Sequence, residues 1–522
     1  MTWVLIALLV VPLVGALVVA FLRKDDKKAK LVALAFSLVE LVLAVLLWTA
    51  YKPDGDRIQL AAGVDWIPAF GVRLSFGIDG IALVMIAVIA LLIPLVIGAG
   101  WTEKLPAGRS QGGYLALILV QEAVTVGVFA ATDVFLFYVL FEVMLIPMYF
   151  LIGGYGGARR QYAAVKFFLY SFLGGLIMLA SAIGAYAMAS DELGKGTFDW
   201  ATLVKVVSDA DATTQTWLFL GFFLAFAIKA PLVPFHTWLP DAAAEAPIGV
   251  TVIVVGILDK VGTFGMLRYL LPMFPTASKN LAPLVLVLAV AGVLYGSLLA
   301  TGQRDMKRFL AYVSIAHFGF IALGIFSFTS QAGVGSVSYM LNHSISTGML
   351  ILVIGMVIAR GGSSLISDYG GMSKVAPVLA GMLLLSGLTT LSLPGTNSFV
   401  SEFLVLIGSF PTRPVYTIIA TVGMVLAALY VLWLYQRMMT GPLRGDALLG
   451  AAAGPGAVGD PAKKTAIGDL NRREIAVLAP LVVIVLALGF YPQPVLDVIT
   501  PTVGATLTEV GVTDPVSVQE GK

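Results

Sequence analysis

The chain has 522 residues, 59% of them hydrophobic and 12% charged, with a formal net charge of +2. Soluble domains carry roughly 25% charged residues, so this composition excludes a string of soluble domains, and its near-neutral charge gives no footing for nucleic acid. Cysteine is absent, which excludes iron–sulfur clusters, thiolate metal sites and disulfides within the chain.

Only three histidines occur, His236, His317 and His343, and no two are spaced to hold a haem from one helix face. No glycine-rich nucleotide loop opens a helix after a strand. No cofactor or metal site is therefore expected in this chain, and any redox chemistry that it serves must run elsewhere.

A bilayer core takes about 20 apolar residues per helix. Windows of that length give about fourteen spans, starting near residues 2, 30, 79, 112, 133, 166, 216, 248, 281, 309, 336, 376, 414 and 474. The expected fold class is an all-α polytopic membrane protein. The basic run "RKDDKKAK" follows the first apolar stretch instead of preceding it, so an uncleaved first helix is expected and not a signal peptide. With the N-terminus outside, inner loops collect about 21 of the 32 Lys and Arg residues and outer segments about 9. This bias predicts both termini outside.

Between the spans little chain is left. Residues 51–78, with "AAGVDWIPAF", read as an outer loop holding a short hairpin. Residues 189–215 form a second outer loop with an amphipathic stretch, "FDWATLVKVV". Residues 441–473 read as a flexible inner linker, and residues 474–522 as the last helix and an outer tail. None of these is large enough to bury a catalytic core.

The spans also hold ionisable groups, each costing roughly 3 kcal/mol at the bilayer centre on insertion scales. Glu122 is near the inner end of the fourth span, within reach of the headgroups. Glu142 is about half-way along the fifth, in "LFEVMLIPMYF". Asp79 and Asp133 stand at span beginnings, where helix capping accounts for them.

In the seventh span, "FAIKAPLVPFHTWLPDA" places Lys229 and His236 around a double break. Pro231 deprives the Ala227 carbonyl of its helical partner, and Pro234 does the same to Ala230. Irregular backbone at membrane depth is tolerated only where protein or cavity water satisfies it, so the lysine and the break are expected to share one hydrated site. A snorkelling lysine is the bland alternative, but Lys229 is too far from either span end to reach a headgroup region.

The eighth span carries Asp259 and Lys260 in "VGILDKVGTFG". Gly256, Gly262 and Gly265 beside them permit close helix approach. The two charged residues are neighbours, and neighbours on an α-helix point about 100° apart. His317 and His343, in the tenth and eleventh spans, suit a proton relay by their near-neutral titration, or are satisfied packing residues. A second break, "LTTLSLPGTNSFVSEF", follows in the twelfth span: Pro394 frees the Thr390 carbonyl, and Glu402 stands eight residues on. Paired Pro/Gly-interrupted spans mark repeat-built transporters. Five spans separate the two breaks, so the second copy must be inverted. Lysine is not a usual ligand for biological cations, and a lysine that gains and loses a carboxylate partner can switch between holding and releasing a proton.

"FEVMLIPMYFLIGGYGG", "KFFLYSFLGG", "KAPLVPFHTWLPDA", "EAPIGVTVIVVGILDKVGTFGMLR" and "LPGTNSFVSEF" together resemble the antiporter-like subunits of respiratory complex I, the proton-pumping NADH–quinone oxidoreductase. The wording around Glu142, and a chain that stops soon after the fourteenth helix, favour the chain M group, counterpart of mitochondrial NADH dehydrogenase subunit 4. The resemblance runs from about residue 60 to residue 495, including "DLNRREIAVLAPLVV". It implies a three-helix segment over 1–111 and two inverted five-helix repeats over 112–271 and 280–440, each with a broken helix. It implies a proton path in which Glu142 pairs with Lys229, Lys260 leads onward, His236, His317 and His343 join, and Glu402 lies toward the exit. It places NADH, quinone, flavin and iron–sulfur clusters in partner subunits, neighbouring chains L and N beside this one, and the whole in a bacterial inner membrane. One departure is Ala243 in "LPDAAAEAP", where the family commonly has histidine. The rival readings are a subunit of a multi-subunit cation/proton antiporter and a non-pumping spacer in the membrane arm.

Overall fold

A computed structural model describes residues 2–22, 24–449 and 467–513. Residues 450–466 of the expected inner linker, residues 514–522 of the expected tail, and Arg23 of the basic run lie outside the described residues.

The helices in chain order are α1 (Thr2–Phe21), α2 (Asp26–Ala50), α3 (Gly80–Ala99), α4 (Gln111–Ala130), α5 (Val134–Tyr155) and α6 (Arg160–Leu193). Next come α7 (Trp200–Ser208), α8 (Ala212–Lys229), α9 (Trp238–Glu245), α10 (Ile248–Met273), α11 (Pro275–Gly302) and α12 (Met306–Ile325). The series ends with α13 (Ser330–Gly361), α14 (Pro377–Thr390), α15 (Asn397–Ser409), α16 (Pro414–Met439), α17 (Arg472–Phe490) and α18 (Gln493–Val510).

Among the described residues, 13 of these elements are long and apolar enough to cross a membrane. The twelfth expected span is divided into α14 and α15, each too short alone, and counting them as one crossing restores fourteen. Between α2 and α3, β1 (Gln59–Ile67) and β2 (Val72–Ile78) form the expected antiparallel hairpin. The amphipathic stretch after residue 197 is α7, packed against α6. The region read as an outer tail is mostly α18, which packs on α3 and α13 and buries Val498, Ile499, Thr502 and Val503.

Polar residues at the helix starts take up the free amides that an apolar helix leaves at its ends. Asp79 Oδ1 accepts from Ala82 N at 2.8 Å and Asp133 Oδ1 from Leu136 N at 2.9 Å. Asn471 and Glu474 complete a reciprocal capping box at the start of α17. Both aspartates do more than cap. Asp133 Oδ2 takes the Arg73 amide of the hairpin at 3.0 Å. Asp79 Oδ2 takes the buried Arg268 guanidinium, Nε at 2.8 Å and Nη2 at 2.7 Å.

Burial sorts the helices. The whole of α10 is inside the protein, and α3, α12 and α13 nearly so, whereas α1, α2, α16 and α17 turn most of their surface outward. The three central helices α10, α12 and α13 carry Lys260, His317 and His343. The charged groups thus follow the protein interior and avoid the lipid-facing surface, as their desolvation cost requires.

Candidate functional site

The first break falls where Pro231 and Pro234 stand. α8 ends at Lys229, and α9 begins at Trp238. The carbonyl that Pro231 strands does not remain free: Ala227 O accepts from Leu232 N at 2.9 Å in a wider turn. Ile228 O is taken by the Trp238 indole Nε1 at 2.8 Å, so the second half-helix caps the first. The Val233–Pro234 bond is cis. Close approach of α10 to this segment rests on two glycines. A Cβ on Gly262 would lie 2.5 Å from Phe226 O, and one on Gly265 would strike the Phe226 ring.

Lys229 is buried, and among the described residues its Nζ has no hydrogen-bond partner. The ammonium lies 4.9 Å from the centroid of the Phe141 ring and 5.4 Å from that of Phe167, where the faces of two aromatic rings offer a weak cation site. Both Glu142 oxygens are likewise buried with no donor among the described residues. The two charges influence one another but make no hydrogen bond, so the expected pair is a near neighbourhood and not a contact. Gly175 on α6 makes room for the Glu142 carboxylate, since a Cβ there would collide with its Oε1.

Lys260 is the opposite case. Its Nζ reaches Asp259 Oδ1 at 3.0 Å, Val255 O at 2.5 Å and His343 Nδ1 at 2.6 Å, and sits 5.1 Å above the Phe318 ring. Residues 259 and 260 point apart on the helix, yet the long lysine side chain folds back to reach its neighbour's carboxylate, beside a π-helical turn over Val254–Leu258. There the Asp259 amide bonds five residues back to Val254 O at 3.2 Å, which leaves Val255 O open to the lysine ammonium. Such bulges recur at functional positions in helices.

From Lys260 a series of contacts runs across α12 and α13. His343 Nε2 is 3.2 Å from Ser314 Oγ, and the His343 and His317 rings are 5.2 Å apart in an edge-on arrangement. His317 lies 5.7 Å from the Tyr339 ring, and the backbone of Thr390, whose carbonyl Pro394 strands, is within its reach. Tyr339 OH donates to Glu402 Oε2 at 3.0 Å, and Ser392 Oγ donates to the same oxygen. Ser392 holds φ at 63°, a left-handed value uncommon for serine, and Gly395 follows at 90°. Beside this end, Asn397 Nδ2 donates to Asn342 Oδ1 at 3.1 Å and Asn342 Nδ2 to Asn397 O at 2.9 Å, which pins the start of α15 to α13.

The structure therefore brings Lys260, His343, His317 and Glu402 into one series and Glu142 with Lys229 into a second group; no hydrogen bond or ion pair among the described residues joins Lys229 to Lys260. His236 stands apart from both, buried, with its ring 5.0 Å from Tyr295 on α11. Glu122 is buried inside the protein, with Glu40 of α2 as its carboxylate neighbour and, among the described residues, no donor for either group. Ala243 is buried against its surroundings, so at this position the chain packs a methyl group.

Sequence reasoning passed over Asp259 as a partner of Lys260, and over Tyr339 and Ser392 as partners of Glu402. It also missed the cluster in which Asp241 takes Lys166 Nζ and Arg308 Nη2, each at 2.7 Å, tying α9 to α6 and α12. The signal for Ser392 was present in its place two residues before Pro394.

A family profile described as "NADH:quinone oxidoreductase/Mrp antiporter, TM" matches residues 131–429. NADH-quinone oxidoreductase subunit M of Mycobacterium tuberculosis is 45% identical, with 97% of this chain and 94% of that one covered. A chain of respiratory complex I from Thermus thermophilus superposes with a TM-score of 0.85 at 28% identity, over 97% of this chain and all of the other. A chain of the Mrp complex from Dietzia sp. shares the fold at a TM-score of 0.81 and 23% identity, over 97% of this chain and 98% of that one. With its broken helices, its buried lysines and this breadth of likeness, the chain belongs to the subunit M family of NADH–quinone oxidoreductases, within the NADH:quinone oxidoreductase/Mrp antiporter membrane family.

Proposed function

We propose that this chain carries protons across a bacterial inner membrane as a subunit of NADH–quinone oxidoreductase, through Glu142, Lys229, Lys260, His343, His317 and Glu402, with His236 beside the first break. Quinone reduction in other subunits drives the transfer, and NADH, flavin and iron–sulfur clusters belong to those subunits. Chains L and N of the complex are its neighbours, both termini face outside, and residues 112–271 and 280–440 act as two inverted half-channels.

The observation that carries this reading is the buried series from Lys260 through both histidines to Glu402, in which neighbouring titratable groups touch or nearly touch. A second observation supports the role of Lys229. An ammonium buried without a hydrogen bond is expensive, and its proton affinity follows whatever charge Glu142 presents. A group of that kind is suited to be switched, and poor as a structural strut.

The test is Lys229→Ala in the assembled complex in sealed vesicles, with NADH–quinone turnover and proton uptake measured together. Intact assembly with loss of coupled pumping supports the path. Unchanged turnover and stoichiometry would make Lys229 structural and the chain a spacer.

A further inference from the structure

We propose that the three arginines Arg304, Arg437 and Arg444 bind the phosphate headgroup of one anionic phospholipid, with an acyl chain lying along α16. They line a cavity of about 490 Å³ together with Ile366, Ser367 and Tyr369. The cavity gathers the loops before α12, between α13 and α14, and after α16, all on the face that the Lys/Arg bias assigns to the inside.

Among the described residues none of the three arginines has an ion-pair partner, and Arg437 Nε is buried without any hydrogen bond. The carboxylates close by are committed elsewhere. Asp305 Oδ1 caps α12 through the amides of Lys307 and Arg308, and its Oδ2 takes Ser364 Oγ. Asp368 accepts from the hydroxyls of Ser363 and Ser367. Three guanidinium groups without an ion pair among the described residues repel one another, and a phosphate, with its several acceptor oxygens, is the anion their planar forks fit. Basic pockets between transmembrane helices on this side of a membrane suit anionic headgroups.

The choice of a lipid over a free ion rests on the surface that leads to the cavity. Ile418, Val422, Val425, Leu429 and Trp433 follow one another at three- or four-residue steps along α16, all exposed, Val425 by 70%. Arg437 is the next step of that stripe, its guanidinium 5.6 Å from the Trp433 ring centroid. An acyl chain on the stripe ends at Trp433, an interfacial residue type, with its phosphate level with Arg437. This site is independent of the proton path, since it shares no residue with it.

The experiment uses the intact complex in phosphatidylcholine vesicles with a photoactivatable cardiolipin analogue, mapping the labelled peptides of this chain. Wild type should be labelled at the end of α16, and the R304Q/R437Q/R444Q variant should need on the order of 100-fold more analogue for the same labelling, at about a tenfold effect or less per arginine. The lysine-substituted triple variant should retain most of the labelling. Should the glutamine variant not assemble, competition on wild type decides: unlabelled cardiolipin should displace the analogue, while phosphatidylcholine and inorganic phosphate should not. Equal labelling by a phosphatidylcholine analogue, displacement by millimolar phosphate, or cross-linking of the cavity to an acidic segment of another subunit would each overturn the proposal.

Discussion

The two membrane lysines differ in a way that stability measurements can separate. Lys260 Nζ satisfies a carboxylate, a carbonyl and an imidazole, all buried. Its replacement by methionine keeps the volume but leaves Asp259, whose side chain is wholly buried, as a carboxylate without its partner. Removing one member of a buried ion pair costs about 3–5 kcal/mol. Lys229 Nζ has no such partner to abandon, so Lys229→Met removes a desolvated ammonium that insertion scales put at roughly 3 kcal/mol unfavourable. K229M should therefore leave the heat-induced loss of this subunit from the complex unchanged or move it to higher temperature, while K260M moves it sharply lower. Neutralising both members of the Lys260 pair, as D259N/K260M, should recover most of the stability lost in K260M, because replacing a whole buried pair is close to neutral. All three variants should fail to pump. The assay is a thermal series on the purified complex, followed by subunit quantification and by proton uptake on the unheated sample. A K229M variant as unstable as K260M would refute the claim that Lys229 is unpaired, and with it the argument that its charge is there to be switched.

Three further outcomes follow from single contacts. Gly175→Ala should cut coupled turnover without removing any charge, by displacing the Glu142 carboxylate that a Cβ would strike; turnover should recover in part when Glu142→Asp shortens the acid. Tyr339→Phe should weaken the hold on Glu402 by about 1.5–3 kcal/mol, the worth of a hydrogen bond to a charged group, and lower turnover with assembly intact, whereas full turnover would argue that Ser392 alone positions the acid. Arg268→Ala should leave Asp79 buried and unpaired and destabilise the α3–α10 contact by about 3–5 kcal/mol, seen as reduced incorporation of this chain into the complex.

The parts that sequence reading reached are those set by long apolar runs or by rule-breaking residues. The spans follow from apolar length, both breaks from prolines at membrane depth, and the hairpin from the stretch "AAGVDWIPAF" in the outer loop 51–78. What it missed depends on geometry that sequence does not encode locally. An α-helical wheel sends Asp259 and Lys260 apart, and it does not show that the lysine folds back to its neighbour's carboxylate and to the Val255 carbonyl left open by a π turn. Tyr339 and Ser392 look like any other hydroxyls in an apolar chain until Glu402 is placed between them. Asp79 was accounted for by its cap, which it does make, and a satisfied role hid the second bond to an arginine 189 residues away.

The two breaks show why a stranded carbonyl is a better guide to function than the proline that causes it. At the first, the chain repairs itself: Leu232 N and the Trp238 indole take the carbonyls of Ala227 and Ile228, so the break leaves Lys229 with no backbone acceptor at all. At the second, the turn segment between α14 and α15 keeps φ of Ser392 and Gly395 positive. There the Ser392 hydroxyl is turned toward Glu402 and donates to it. One interruption thus isolates a charge and the other supplies it with donors. A charge that is isolated responds fully to a neighbour that moves, and one that is held by fixed donors resists the same change. If the chain works by displacing charge from Glu142 toward Glu402, the responsive group stands at the first break and the anchored one at the second. Giving Lys229 a fixed acceptor, through Phe167→Asn, should therefore abolish pumping while leaving every titratable residue in place; retained pumping in that variant would refute the assignment.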